Sequence, residues 1–226
     1  IDEYSGINII NTETGKHLLV PNPPGLHYES MFQDKNGNIW AGTVSETRTN
    51  IGLVMFRPTP ENIHHYLTGF NENGDINLVF PVIKDKYGNI WAGTRSLNYT
   101  YKIKPGLTVE KVKFLPWLSG NNHPKVRSMT QDSTGIWLGC TDNYILFYDY
   151  KAGKFQVLNS SPVTFNNVSC TLDIHNILKR GEMLVISGGQ GVYSYSLKSG
   201  KFKLEYSTET TGTLFSLTED GNGGFW

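Results

Sequence analysis

The chain has 226 residues, of which 38% are hydrophobic and 12% aromatic, enough apolar side chain for a sizeable core. Lys and Arg number 20, as do Asp and Glu, so the zero formal net charge disfavours an electrostatic binder of nucleic acid or anionic membranes. No apolar run approaches the ~20 residues of a membrane helix. The low charged fraction of 18%, with 12 Tyr and 5 Trp, is typical of an extracytoplasmic, glycan-facing surface.

The first predicted element is a strand, a turn and a second strand over Ser5–Val20. The chain starts at Ile1 rather than Met, so we expect that upstream sequence has been removed. The same pattern of two strands around a Gly-Lys turn recurs at Tyr144–Leu158 and Val192–Leu204.

A second pattern, D-K-N-G-N-I-W-A-G-T, occupies Asp34–Thr43 and recurs almost unchanged at Asp85–Thr94. Gly and Asn after an Asp favour a tight turn, and the Ile-Trp-Ala that follows is typical of a buried strand. Each copy therefore predicts a hairpin. Including a shortened copy at Asp132–Cys140 and one at Asp220–Trp226, the repeated positions are Asp34, Gly37, Trp40, Asp85, Gly88, Trp91, Asp132, Gly135, Trp137, Asp220, Gly223 and Trp226.

The spacing of these copies predicts the architecture. A degenerate copy at Gly181–Gly189 places Val185 in the Trp position, and successive copies then follow at intervals of roughly 40–50 residues. Such a period, built from short strands and Gly-rich turns, is typical of propeller blades with about four strands each. The sequence therefore predicts an all-β fold, a β-propeller of four-stranded antiparallel blades, as a single domain over residues 1–226.

Four full blades are predicted between two complementary half-blades. The full blades span roughly Leu26–Gly69, Asn77–Leu118, Lys125–Leu158 and Ser169–Tyr206, and Thr213–Trp226 supplies an inner half. The two halves either close a five-bladed ring, which removes sheet edges, or are the ends of a piece cut from a larger ring. The abrupt end at Trp226 slightly favours the cut.

Loops at the two ends of the predicted strands differ in character. The Asp turns and the Gly-Lys turns form a uniform face, whereas the loops after strands 2 and 4 form a variable face, as expected for a rigid scaffold that presents binding residues. The candidate ligand-binding residues on the variable face are Arg48, Arg95, Asn98, Tyr99, Trp117, Asn121, Asn122, His123, Arg127, Asp142, Asn143 and Gln190.

Structural roles explain most of the other chemically suggestive residues. The turn aspartates recur in one environment, whereas a catalytic pair needs two unlike environments, so we expect no catalytic residues among them. The repeated tryptophans are expected in the core between blades, while Trp117 is equally compatible with ligand contact and with packing. His64 and His65 are adjacent on a strand and point to opposite faces, which disfavours a shared metal ion. No metal site and no cofactor are expected, and Gly188–Gly191 is interpreted as a blade turn.

Cys140 and Cys170 are the only cysteines and lack the C-x-x-C spacing of zinc or redox sites. A disulfide between neighbouring blades is one interpretation, and two buried free thiols is the favoured one.

The repeated D-x-x-G-N-I-W-A-G-T resembles the two-component regulator propeller repeat. The resemblance is strong at Asp34–Thr43 and Asp85–Thr94, fair at Asp132–Cys140 and Asp220–Trp226, and poor at Gly181–Gly189. It implies the periplasmic sensor region of a bacterial hybrid two-component system, with seven-bladed propellers followed by a β-sandwich, a membrane helix and a histidine kinase. Five blade-equivalents fall short of seven, which again indicates a fragment.

Three functions remain open at this stage. The first is a non-enzymatic sensor that binds an oligosaccharide, dimerises through the full-length receptor and meets the membrane only through segments absent from this sequence. Its arginines would bind carboxylates or sulfates. The second is a propeller glycoside hydrolase or polysaccharide lyase that uses Glu46, Glu72, Asp75 or Asp142. The third is a scaffold for protein–protein contacts that binds no small molecule.

Overall fold

A computed structural model describes residues 6–10, 13–15, 17–21, 26–45, 52–56, 63–65, 78–94, 98–106, 108–115, 124–165, 168–189, 191–207, 213–214, 216–222 and 224–225. Every structured segment among these residues is a strand or a turn. Their contacts divide the chain into two compact units, Ile1–Leu97 with Tyr101–Glu110, and Asn98–Thr100 with Lys111–Trp226.

The early part of the chain forms a two-stranded sheet and two sheets of four strands. The short sheet pairs β1 (Gly6–Ile10) with β2 (His17–Pro21). The first four-stranded sheet is β3 (Leu26–Gln33), β4 (Ile39–Ser45), β5 (Gly52–Phe56) and β6 (Ile63–His65). The second is β7 (Val79–Lys84), β8 (Ile90–Thr94), β9 (Tyr99–Ile103) and β10 (Val109–Lys113).

The later part of the chain forms two more sheets of four strands and one extra hairpin. The third sheet is β11 (Val126–Gln131), β12 (Gly135–Cys140), β13 (Ile145–Asp149) and β14 (Lys154–Asn159). The hairpin pairs β15 (Val163–Phe165) with β16 (Val168–Cys170). The fourth sheet is β17 (Ile174–Arg180), β18 (Met183–Gly188), β19 (Gly191–Ser196) and β20 (Lys201–Ser207).

Each four-stranded sheet is a meander in which strands follow one another in chain order, so the four predicted blades are confirmed. Val185 pairs with Leu178 as Trp137 pairs with Thr130, and the degenerate copy therefore does place Val185 in the Trp position. The hairpin β15–β16 precedes the fourth blade in the chain, and the innermost strand of that blade begins at Ile174 rather than near Ser169.

Each unit has its own apolar core between adjacent sheets. In the later unit, Trp137 stacks on Phe147 with ring centroids 4.2 Å apart, and both pack with a cluster that includes Leu172, Ile174 and Tyr193. In the earlier unit, Ile7 of β1 packs with Ala41, Val54 and Phe56. Trp40, Trp91 and Trp137 are buried, which confirms the core position predicted for these three tryptophans.

The glycine of the repeated strand is required by the next blade, not by its own backbone. A Cβ on Gly139 would lie 2.3 Å from Cγ2 of Ile174 on β17, and a Cβ on Gly42 would lie 2.7 Å from the carbonyl oxygen of Val79 on β7. Real Cβ atoms essentially never approach other atoms below 3.0 Å. Strand 2 of one blade thus contacts strand 1 of the next only because this position lacks a side chain.

Candidate functional site

The repeated turn aspartates are structural hydrogen-bond acceptors. Oδ1 of Asp85 accepts hydrogen bonds from the backbone N–H groups of Tyr87 and Asn89, at 2.9 and 2.8 Å. Its Oδ2 accepts from Asn89 Nδ2 and from Trp91 Nε1, both at 2.8 Å. Gly88 closes this turn with a φ of 86°, a conformation that favours glycine.

Asp34 repeats this arrangement. Its carboxylate accepts from the backbone and side chain of Asn38 and, at 3.2 Å, from Trp40 Nε1. Partial burial opposes ionisation, but the hydrogen bonds from Asn38, Trp40 and Asn36 outweigh it and lower the pKa of Asp34. The Asp34 carboxylate is kept ionised by hydrogen bonds from its own turn and from Trp40. Its role is therefore structural, as a hydrogen-bond acceptor.

The shortened turn at Asp132 uses different partners. Its Oδ1 accepts from the backbone N–H groups of Thr134 and Gly135 at 2.7 and 3.1 Å, and from the Thr134 hydroxyl at 2.5 Å. Burial raises the pKa of Asp132, and these hydrogen bonds lower it by more. Lys179 lies 3.8 Å from its carboxylate and 5.4 Å from the centroid of the Trp137 ring, so a lysine from the next blade supports this turn.

At the other end of the strands, two polar side chains of the later unit and one backbone N–H come together. Arg127 Nη2 lies 3.4 Å from Asp173 Oδ2, and Asp173 Oδ1 accepts a hydrogen bond from the backbone N–H of Asp142 at 3.3 Å. The Arg127 side chain is 16% exposed and that of Asp173 is 41% exposed, while Asp142 is exposed. This group, Arg127, Asp142 and Asp173, is the polar cluster.

The polar cluster is held by a turn with unusual backbone angles. Asp142 and Asn143 have φ values of 56° and 66°, and the N–H of Tyr144 closes the turn on the carbonyl of Thr141 at 3.2 Å. Positive φ at both central residues is the type I′ geometry that suits a two-residue hairpin. Non-glycine residues hold this conformation when surrounding contacts fix it.

Asn143 supplies those contacts. Its side-chain carbonyl accepts from the backbone N–H of Leu172 at 2.6 Å, and its own N–H donates to the Leu172 carbonyl at 2.9 Å. Asn159 Nδ2 donates to the backbone carbonyl of Asn143 at 2.8 Å. Asn143 is 1% exposed, so this predicted ligand-binding residue fastens its turn to the segment before β17. Its contact with a ligand stays a prediction.

Two other predicted site residues lie at the start of β9. Asn98 is half-buried, and its carbonyl accepts from the N–H of Phe114 at 3.0 Å. Tyr99 is 7% exposed, and Lys111 Nζ lies 5.3 Å from its ring centroid. A stacking surface for a sugar must be accessible, which Tyr99 is not in this conformation. The remaining predicted site residues, Arg48, Arg95, Trp117, Asn121, Asn122, His123 and Gln190, lie outside the described residues, as do Glu46, Glu72, Asp75 and the repeat positions Gly223 and Trp226.

Sequence reasoning missed Asp173, the residue that joins Arg127 to the Asp142 turn. Its only local signal is its position directly before the innermost strand of a blade, in a segment that resembles an ordinary loop. Its partners are 46 and 31 residues away in the chain, which no short motif can reveal.

The described residues do not favour a metal site, a reactive thiol or a membrane helix. No three His, Cys, Asp or Glu side chains there lie close enough to hold a metal ion. Cys140 is free and fully buried, and burial raises the pKa of its thiol, while the side chain of Cys170 is not described. Among the same residues no helix is long and apolar enough to cross a membrane.

Comparison with known proteins supports the repeat. Residues 22–45 match the family model described as two component regulator propeller. This range contains β3, β4 and the Asp34 turn, so the resemblance to that family is confirmed there. No curated protein matches the chain.

Solved structures share the fold. The extracellular domain of a putative hybrid two component system from B. thetaiotaomicron is similar with a TM-score of 0.70 and 18% identity, covering 99% of this chain and 28% of that one. A catalytically inactive virginiamycin B lyase from Staphylococcus aureus, with quinupristin, gives a TM-score of 0.71 and 14% identity, covering 99% of this chain and 70% of the lyase. At such identities the likeness establishes a propeller-type fold alone, and the chain spans less than a third of that extracellular domain.

Proposed function

We propose that this chain is part of the extracytoplasmic, periplasmic propeller of a hybrid two-component sensor kinase, and that it detects an oligosaccharide and thereby regulates glycan-utilisation genes. The family-model match at residues 22–45 supports the sensor assignment. The observation that carries ligand binding is the polar cluster of Arg127, Asp142 and Asp173, at the end of the strands away from the repeated turns.

The cluster has the chemistry of a polar recognition site. The guanidinium of Arg127 offers donors only, and the carboxylates of Asp142 and Asp173 offer acceptors only. Neighbouring hydroxyls of a saccharide both donate and accept, and can therefore bond to both kinds of group. A partly exposed cluster on a rigid blade keeps these groups in place before a ligand arrives, which lowers the entropic cost of binding.

A thermal-shift screen of this chain tests the proposal. The panel consists of neutral, acidic and sulfated oligosaccharides, each followed by a reducing-end assay for cleavage. A ligand at 100 times its Kd stabilises the folded state by about 2.7 kcal/mol, which is a measurable rise in Tm. A rise with one sugar class and no cleavage is the expected result. A flat response from a cooperatively melting protein contradicts ligand sensing and favours a scaffold for protein contacts.

A propeller enzyme is the alternative function, favoured by the likeness to virginiamycin B lyase over 99% of this chain. One fold hosts many chemistries, so this likeness transfers no catalytic residues. The same incubation separates the two functions, because a glycoside hydrolase or polysaccharide lyase would leave cleaved sugar and a sensor would not.

A further inference from the structure

The innermost strand of every four-stranded blade has a β-bulge at one register position. The pairing slips between Tyr28 and Ser30 in β3, between Val79 and Val82 in β7, between Val126 and Ser128 in β11, and between Ile174 and Asn176 in β17. The residues at this position are Glu29, Phe80 with Pro81, Arg127 and His175.

A bulge inserts an unpaired residue and redirects its side chain, and bulges concentrate next to functional sites. The residue before each bulge is a Tyr, Val or Ile, whereas the bulged residue is acidic, aromatic or basic according to the blade. Backbone geometry is thus repeated while side-chain chemistry varies, which is the pattern expected for a position that contacts a ligand.

In the later unit, two of these bulges are adjacent. Ser128 Oγ donates to the carbonyl of Ile174 at 3.4 Å, in a buried contact between β11 and β17. Arg127 directly precedes Ser128 and His175 directly follows Ile174, so the two bulged residues flank one blade-to-blade contact. The side chains of Arg127 and His175 are half-buried, with an exposure between that of the core and that of the surface.

The charges around Arg127 limit the ligand. Its guanidinium already faces the carboxylate of Asp173 at 3.4 Å, and the exposed Asp142 is linked to the same carboxylate. A ligand carboxylate or sulfate would therefore be repelled by the Asp173 carboxylate that already faces the guanidinium of Arg127, and this repulsion offsets the attraction. Neutral hydroxyls can accept from Arg127 or His175 and donate to Asp173 without that repulsion.

We propose that the bulged residues Arg127 and His175, together with Asp173, which faces Arg127, form a ligand-recognition pair for a neutral polyhydroxylated ring. This proposal rests on the proposed sensor function and names the ligand class and two residues that set its specificity. The sequence predicts that Arg127 binds carboxylates or sulfates, whereas its pairing with Asp173 supports the neutral ligand proposed here.

Calorimetry on the 226-residue chain tests the pair. The probes are xylohexaose, mannohexaose and laminarihexaose as neutral ligands, with a chondroitin sulfate hexasaccharide as the acidic counterpart. The variants are His175→Ala and Arg127→Gln, and the matched control is Lys151→Gln, an exposed residue in the β13–β14 turn. Arg127→Gln should weaken binding of a neutral ligand about tenfold, as expected when a hydrogen bond to a charged group is lost, and His175→Ala should weaken it about fivefold. The control should retain the wild-type Kd.

The outcomes separate this proposal from the sensor function. Saccharide binding that both test variants retain overturns the recognition pair and leaves the sensor function standing. Preference for the sulfated probe overturns the neutral ligand class. A wild-type chain that binds no probe overturns both proposals. If Arg127→Gln no longer melts cooperatively, it cannot report on binding. The Kd of His175→Ala, a substitution at a half-buried residue, then tests the recognition pair by itself.

Discussion

Trp91 Nε1 donates a 2.8 Å hydrogen bond to Oδ2 of Asp85, and both residues are buried, at 1% and 4% exposure. Trp40 and Asp34 repeat this bond at 3.2 Å. The same carboxylate closes the tight turn and satisfies the only polar atom of the core tryptophan. Turn and core of the blade are therefore stabilised together.

Asp85→Ala should lower the free energy of unfolding by about 3 kcal/mol, because it leaves buried donors of Asn89 and Trp91 without an acceptor. The matched control is Asp220→Ala, whose exposed carboxylate bonds the backbone N–H groups of Asn222 and Gly224. Water can replace that acceptor, so the control should lose no more than about 1 kcal/mol. Urea unfolding measures both, and equal losses would contradict the coupling of turn and core.

Gly139→Ala should destabilise the protein by about 1–3 kcal/mol, the usual cost of overpacking, because its Cβ would lie 2.3 Å from Ile174 Cγ2 and 2.5 Å from Ser128 Oγ. Gly106→Ala is the control, since nothing lies within 4 Å of its Cβ position. Chemical denaturation of the two variants compares them. A neutral Gly139→Ala would show that β12 and β17 are not in close contact.

Substitution of the two residues with positive φ should have opposite effects. Asp142→Gly removes the strain of a left-handed non-glycine residue and keeps the backbone bond to Asp173, so we expect a gain of about 1 kcal/mol. Asn143→Gly removes the same strain but loses the side-chain bond to Leu172 N, so we expect a net loss of about 1–2 kcal/mol. The melting temperatures of the two variants should shift in opposite directions. Shifts of the same sign would show that the Asn143 side chain does not hold its turn against Leu172.

Stability should fall in acid. The pKa values of Asp34 and Asp132 are lowered from 3.8 in the folded protein by the hydrogen bonds of their turns, against the opposing effect of burial. Their contribution is therefore fully present above their unfolded pKa and is lost as the pH falls through the folded pKa. Melting temperatures between pH 6 and about pH 2 should show this loss. The double variant Asp34→Asn, Asp132→Asn should have a flatter profile, and an unchanged slope would assign the loss to other carboxylates.

Local sequence was sufficient for the blade itself. Asp, Gly and Asn in succession specify a turn through the conformations they allow, and the apolar residues that follow specify a buried strand. These preferences act over a few residues, so the hairpins, the buried tryptophans and the place of Val185 in the repeat were all predicted correctly. The resemblance at residues 22–45 followed from the same letters.

The candidate site was predicted only in part. Arg127, Asp142 and Asn143 were predicted on the variable face, but no local pattern indicated that Asn143 is buried against Leu172 or that Asp173 pairs with Arg127. A polar residue in a loop has the same local signature whether it meets a ligand or a neighbouring backbone.

By itself the sequence determined the repeating unit of this protein, its Asp turns and the core position of Trp40, Trp91 and Trp137. The tertiary structure alone decided which polar side chains face one another, where the bulges of the inner strands lie, and why Gly42 and Gly139 must lack a side chain. The physical reason is distance along the chain. Turns depend on neighbours, whereas packing between blades joins residues such as Ser128 and Ile174, which are 46 positions apart and share no local pattern.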